Sequence, residues 1–314
     1  MRKWIPLIIV LLALVLPLLI ESHYFMHIIV LSLIYAILAT SLGLVVGGIR
    51  VVSLSHVAFF GVGAYTSAIL TVRYDVPFLV ALLCSFLMSA FIGFLFSVPI
   101  LKLKGHYLAM GTLAFGIVAQ MVFLNWENLT NGPNGIAGIP YPSIFGFMLD
   151  SETKIYYFVL VSLIVLLMGL YSLNRSVIGR ALITIREDEI VASSFGIRTV
   201  HYKVAAFTIS TGIAGYAGSI FAHYSAYINY DNFNLMESFI LLAMVVIGGM
   251  NHILGPVVGA ILLTVLPEAL RELVDYRMLI YGLILIGILP FAPRGLLGSL
   301  PTKWIKGKIG GGEH

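Results

Sequence analysis

Charged side chains are scarce in this chain. Asp, Glu, Lys and Arg make up 10% of its 314 residues, against about 25% in an average soluble domain, too few to coat a water-facing surface. Cysteine is nearly absent. Cys84 stands alone within an apolar run, which excludes an intrachain disulfide and a thiolate metal cage and leaves a small buried hydrophobe. The eight His residues show no metal-ligand spacing. A G-x-x-x-x-G-K-S/T phosphate loop is missing too. Gly307-Lys308 is followed by Ile309, so the chain hydrolyses no nucleotide by that route. No acidic residue falls deep in an apolar run: Asp231, Glu237, Glu268, Glu272 and Asp275 all fit helix ends. Carriers coupled to protons or sodium place acids inside the membrane, so this absence argues against them. No Ser–His–Asp set or carboxylate pair indicates an intramembrane enzyme.

What the chain has instead is oily length. It is 60% hydrophobic, with a mean hydropathy of +1.03. A membrane-crossing helix needs about 20 mostly apolar residues. Charge-free stretches of that order recur at residues 4–20, 24–49, 51–72, 76–101, 105–126, 155–174, 204–230, 238–267 and 278–293. The stretch 238–267 is long enough for one pass, two short passes or a re-entrant hairpin. The spacing therefore predicts an all-α polytopic membrane protein of 9–10 helices, some broken or re-entrant, in a single domain over residues 1–314. The runs are too long and too continuously apolar for barrel strands, which alternate with period two. The first run follows Arg2 and Lys3 like a signal peptide, but Glu21-Ser22-His23-Tyr24 is no small-residue cleavage site, so it reads as a retained helix.

Threading ten spans from an inside N-terminus puts 14 of the 18 Lys and Arg residues on one side, with Arg73, Lys154, Arg271 and Arg277 on the other. Short cytoplasmic loops collect Lys and Arg, so both termini are expected in the cytoplasm. The net charge of +4 then reflects topology and not nucleic-acid binding. The basic tail, residues 294–314, is either solvated or in touch with anionic lipid.

Two loops stand out. The outer loop, residues 126–153, carries the turn formers Asn131-Gly132-Pro133-Asn134-Gly135 and reads as a structured cap or a solvated loop. The cytoplasmic loop, residues 175–203, is too charged to enter the bilayer. Within it Ile178, Ala181, Leu182, Ile185 and Ala192 share one side of a 3.6-residue period, and Gly196 offers a C-cap. Glu189 interrupts the stripe, so either the helix breaks near Glu187 or Glu189 meets a basic partner. Such a helix can lie on lipid, but Glu187-Asp188-Glu189 would be repelled by an anionic surface, which favours docking to a partner protein.

Two apolar segments are interrupted alike. Gly47-Gly48 is followed by Ser53, Ser55 and His56, and Gly248-Gly249 by Asn251 and His252. Gly-interrupted segments in two halves of a transporter point to the substrate path, and a helix start near Ser53–His56 would offer N–H groups to a carboxylate. The alternative is that both Gly pairs end helices at cytoplasmic loops, with Ser53 and Ser55 as N-caps. Gly61 and Gly63, or Gly111 and Gly116, are explained by close helix packing alone.

Several stretches together carry a resemblance. They are residues 53–65 (Ser-Leu-Ser-His-Val-Ala-Phe-Phe-Gly-Val-Gly-Ala-Tyr), 104–115, 130–136, the run from Gly179-Arg180-Ala181 through Ile185-Arg186-Glu187-Asp188-Glu189 to Gly196-Ile197, and 246–259. Over residues 25–300 the chain resembles the LivM-type permease subunits of branched-chain amino acid ABC importers. The resemblance implies a LivH-type second permease, two ATPase subunits of LivG and LivF type, and an extracytoplasmic binding protein delivering leucine, isoleucine or valine. It implies a bacterial or archaeal inner membrane, no cofactor in this chain, and ATP used by the partner subunits. The region Arg186–Glu189 matches the loop that contacts the ATPase, which makes Ile178, Leu182, Ile185, Arg186, Glu187, Asp188, Glu189 and Gly196 the expected coupling set. The substrate-path candidates are Gly47, Gly48, Ser53, Ser55, His56, Gly248, Gly249 and Asn251, with Asn131, Gly132, Asn134 and Gly135 in the outer loop. Relatives with these motifs move urea, short amides or other amino acids. The other reading is an ion-coupled secondary carrier.

Overall fold

The computed structural model describes residues 14–17, 22–103, 105–144, 146–269, 282 and 295–297. Most of the expected spans 4–20 and 278–293, and most of the basic tail 294–314, lie outside the described residues. The remainder is the all-α polytopic architecture that the apolar runs require. Among the described residues, the helices longer than one turn are α1 (His23–Ile49), α2 (His56–Tyr74), α3 (Phe78–Ile100), α4 (His106–Asn125), α5 (Glu152–Arg175), α6 (Val177–Glu187), α7 (Glu189–Ser194), α8 (Thr199–Ser225), α9 (Leu235–Gly248) and α10 (Gly255–Ala269). Six of them, α1 to α5 and α8, are long and apolar enough to cross a membrane. The stretch 238–267 resolves into two helices of 14 and 15 residues. At 1.5 Å per residue each is about 21–22 Å long, short of a hydrocarbon core of about 30 Å.

α1, α2 and α8 form the centre. α2 and α8 run parallel, since His56 bonds to Ser210 and, further along both chains, Ser67 bonds to His223. They touch backbone to backbone: a Cβ on Gly218 would lie 1.9 Å from the Phe60 carbonyl oxygen, and one on Gly63 2.1 Å from that of Gly215. Across them lies α3, with Ala81, Ser85, Ser89, Gly93 and Ser97 buried at every fourth residue. Ser85 Oγ donates to Gly63 O at 2.9 Å and Ser89 Oγ to Phe59 O at 3.0 Å. In lipid the hydrophobic effect does not drive helices together, so small side chains and interhelical hydrogen bonds of this kind supply the attraction. The outward faces of α3, α4 and α5 present Leu87, Phe91, Val118 and Val165, suited to acyl chains or to another membrane subunit.

The outer loop and the 175–203 loop lie at opposite ends of this bundle. At one end, His23 of α1 approaches Glu152 of α5 at 3.5 Å. The loop there is built, not merely solvated. Ile136–Ala137 (β1) pairs antiparallel with Tyr227–Ile228 (β4), and Ser143–Ile144 (β2) with Phe147–Met148 (β3). At the other end, Arg186 of α6 donates to Gly47 O in the last turn of α1 at 3.3 Å.

Candidate functional site

At the α6 end, two of the proposed path residues, Gly47 and Asn251, bond to one arginine. α1 ends when Arg50 turns left-handed, its φ being +52°. Gly47 and Gly48 therefore lie in the last helical turn. The loop between α9 and α10 packs onto that turn, so a Cβ on Gly47 would fall 2.0 Å from Met250 O. Arg186 Nη1 reaches both Gly47 O and Asn251 Oδ1, the latter at 3.5 Å, and Nη2 pairs with Glu187 at 3.2 Å. Gly249, with φ +115°, closes α9, and Leu296 N donates to Ile247 O at 2.8 Å. In the same turn Leu254 N donates to His252 Nδ1, and burial lowers the His252 imidazole below its ordinary range. Gly48 stands apart: only Leu44 Cδ1, at 3.8 Å, would meet a side chain there.

Ser53, Ser55 and His56 lie inside the bundle. All three are essentially inaccessible. Ser55 occupies the N-cap position of α2, but its side chain caps nothing; its hydroxyl pairs with Ser53 Oγ at 3.0 Å. The donors settle the histidine tautomer. Ser210 gives its hydroxyl proton to Ser41 O, so it accepts from His56 Nε2–H at 2.7 Å, and His56 Nδ1 accepts from Ser53 at 3.0 Å. One imidazole thereby ties α1, α2 and α8 together. A matching tie stands at the outer end. His223 Nδ1–H donates to Pro140 O at 2.7 Å, Nε2 accepts from Ser67, and Ser67 accepts from Ser219.

The 175–203 loop folds as an arm of two helices. Ser176 caps α6 through Gly179 N, and Asp188 caps α7 through the N–H groups of Ile190 and Val191. The helix breaks next to Glu187, and Glu189 also meets a base, Lys203, at 2.6 Å, so both resolutions of the interrupted stripe occur. α7 ends in a Schellman turn: Ile197 N bonds to Ala192 O, Gly196 N bonds to Ser193 O, and Gly196 has φ +80°. The apolar stripe is where the expectation needs correcting. Leu182 and Ile185, together with Ala181 and Ala192, are buried in this chain's own core. They hold the arm to the bundle and present no surface to a partner. The exposed apolar side chains are Ile178, Val177, Ile190, Val191 and Phe195, with Ile190 and Phe195 about four-fifths exposed. The helical period found the stripe; a short exposed α7 carrying Ile190 and Phe195 has no period to reveal it.

In the outer cap, Asn131 adopts φ +64° and its side chain donates to Gly135 O at 2.8 Å. Gly132 is buried and its N–H donates to the Thr130 hydroxyl, which in turn donates to Phe123 O. Gly135, with φ +66°, leaves no room for a Cβ, which would lie 2.2 Å from Ile228 O. Tyr227 donates to Asn134 O at 3.1 Å. These four residues shape the cap's backbone, and it closes over the ends of α2, α4 and α8. Lys154 and Asp150 pair on its rim, and that hydrogen bond holds the Asp150 carboxyl below the usual range.

The family model described as branched-chain amino acid transport system / permease component matches residues 24–289. The high-affinity branched-chain amino acid transport system permease protein LivM of Escherichia coli (strain K12) is 36% identical over 290 residues, covering 85% of this chain and 68% of that one. A probable branched-chain amino acid transport permease protein LivM of Methanocaldococcus jannaschii is 25% identical, covering 74% and 72%. The autoinducer 2 import system permease protein LsrC of Salmonella typhimurium is 26% identical, covering 72% and 65%. No solved structure matches this chain. With the match running from α1 through α10 and beyond, the chain belongs to the permease-component family of branched-chain amino acid transport systems.

Proposed function

We propose that this chain is one of two permease subunits of an ABC importer that carries leucine, isoleucine and valine across the inner membrane of a bacterium or archaeon. The observation that carries the reading is the 36% identity to a LivM permease over 85% of the chain. The two-helix arm at the end opposite the cap supports it. In this reading the arm faces the cytoplasm and meets LivG- and LivF-type ATPases, which use the ATP. A LivH-type permease completes the pathway, and an extracytoplasmic binding protein docks near the cap. Ile190, Val191 and Phe195, flanked by Glu187 and Asp188, form the docking surface for the motor. Arg186 passes its movement on, because its guanidinium joins the arm to the end of α1 and to the α9–α10 turn. Gly47, Gly48, Gly248, Gly249 and Asn251 then act at the cytoplasmic gate, and Ser53, Ser55 and His56 keep the central helices moving as one body.

Solute choice within this scaffold is a narrower matter, since LsrC carries the name of an autoinducer 2 importer. The higher identity to LivM favours branched-chain amino acids. The test is reconstitution of the chain with its neighbouring subunits and a panel of labelled solutes. Leucine uptake that needs ATP, the ATPases and the binding protein is the expected result. Uphill uptake by this chain alone, driven by an ion gradient, overturns the reading.

A further inference from the structure

We propose that Glu237, facing Tyr35, is a mid-membrane station for the ammonium group of the transported amino acid. This rests on the importer reading above and adds to it a contact for the cargo. Glu237 occupies the first turn of α9, which the sequence reads as a helix end and therefore as membrane surface. The fold places that end inside the bundle. Tyr35, whose hydroxyl lies 3.5 Å from Glu237 Oε2, is twelve residues from His23 and fourteen from Ile49 on α1, about 18 and 21 Å at the α-helical rise. A second measure agrees. Twelve residues separate Glu237 from Gly249, beside the turn that packs on Gly47, and twelve separate Tyr35 from Gly47. α9 is thus a half-helix that begins at mid-depth and runs to the arm.

The chain reaches that depth by a short descent from the cap. After Tyr227–Ile228 pairs with β1, the 3-10 turn Tyr230–Phe233 carries Phe233 down between Phe60 and Tyr65, each ring centroid 5.7 Å from its own. Non-helical backbone at membrane depth must find its hydrogen bonds nearby. Here Asn229 and Asn232 cap each other's N–H groups, and Asn234 accepts from Glu237 N. The carboxylate has no such answer. The ion pairs among the described residues lie elsewhere, at His23–Glu152, Lys154–Asp150, Arg186–Glu187 and Lys203–Glu189. Among the described residues, the side-chain hydrogen bond to Glu237 is the long one from the Tyr35 hydroxyl, and the charge acting on it, Asp231, has its own sign. An acid kept in a membrane interior marks a solute path or a counter-charge. It is also within reach from outside the chain, because Met236 and Phe239 on either side are exposed.

A zwitterionic amino acid supplies what is missing. Its ammonium offers three N–H donors and the opposite charge, and Met236 and Phe239 offer apolar contact for a branched side chain. One carboxylate with no basic partner and no second anchor for the solute's own carboxylate holds such a solute weakly enough to let it go, as a path requires.

The test uses the complete importer in proteoliposomes at saturating binding protein. Glu237→Gln is expected to cut leucine uptake at least about tenfold, the scale of losing one charge-assisted hydrogen bond. Wild-type liposomes that take up no leucine defeat the importer reading. Wild-type uptake that Glu237→Gln leaves intact defeats this inference alone. A second measurement does not depend on that variant folding. In a Cys84→Ser background, Met236→Cys should react with a water-soluble maleimide added outside, and leucine with its binding protein should slow the reaction severalfold. Reaction only with a membrane-permeant reagent, or a rate that leucine leaves unchanged, overturns the proposal.

Discussion

A methyl group added at Gly248 would lie 1.9 Å from the Gly255 carbonyl oxygen and 2.9 Å from Gly259 N, all of it backbone that cannot step aside. At Gly48 the nearest atom would be the end of the Leu44 side chain, at an ordinary 3.8 Å. The two Gly pairs look like twins in the sequence, yet Gly248 seals a helical hairpin, whereas in the other pair Gly47 meets the Met250 carbonyl and Gly48 merely sits in a last helical turn. Gly248→Ala should therefore wedge α9 from α10 and cost about 1–3 kcal/mol. Gly48→Ala should be neutral or stabilising by about 0.5–1 kcal/mol, because Ala restricts the unfolded chain and favours helix. Thermal unfolding of the detergent-solubilised complex reads both. Equal shifts would contradict the hairpin's geometry. At this scale the sequence was legible for residue type and not for neighbour: it marks small residues, but which backbone each one admits depends on pairings such as Gly63 with Gly215 that are far apart in the chain.

Among the elements, the arm shows what periodicity can and cannot say. Its apolar stripe, its break near Glu187 and its Gly196 terminus were all readable, because caps and helical spacing are local. What covers the stripe is not local. Leu182 and Ile185 face α1 and the bundle, each only 4% exposed, and the surface left for a partner is on α7. The consequences differ by face. Ile185→Glu places an unpaired carboxylate in the core, so the expected result is loss of folded protein from the membrane, because burying a charge without a partner is among the costliest single changes. Phe195→Glu, on a side chain about four-fifths exposed, should leave membrane abundance unchanged while ATP-driven uptake falls severalfold. Immunoblots of membranes beside uptake assays separate the two. If Ile185→Glu assembles normally and Phe195→Glu transports normally, the arm has been assigned the wrong face.

For the whole molecule, the apolar runs foretold the six long helices among the described residues and their order, because lipid demands continuous hydrophobicity of about 20 residues. The depth at which α9 starts was hidden, since a half-helix and a short surface helix have the same composition. Among the described residues the Lys and Arg side chains divide unequally between the two ends of the bundle. Arg50, Lys102, Arg175, Arg180, Arg186, Arg198 and Lys203 all belong to the arm end, where α1, α3 and α5 finish and α8 begins, whereas Arg73 and Lys154 belong to the cap end. Basic residues are retained on the cytoplasmic side during insertion, so this asymmetry predicts an inward arm and an outward cap. Cysteine labelling can decide it, because Cys84 is the one native thiol and Cys84→Ser removes the background. Tyr141→Cys in the cap and Phe195→Cys on α7 both replace exposed side chains. In intact cells an impermeant maleimide should modify Tyr141→Cys and spare Phe195→Cys until the membrane is opened. The reverse pattern would put the arm outside the cell, where no ATP-driven motor works, and the coupling surface on Ile190 and Phe195 would have no role.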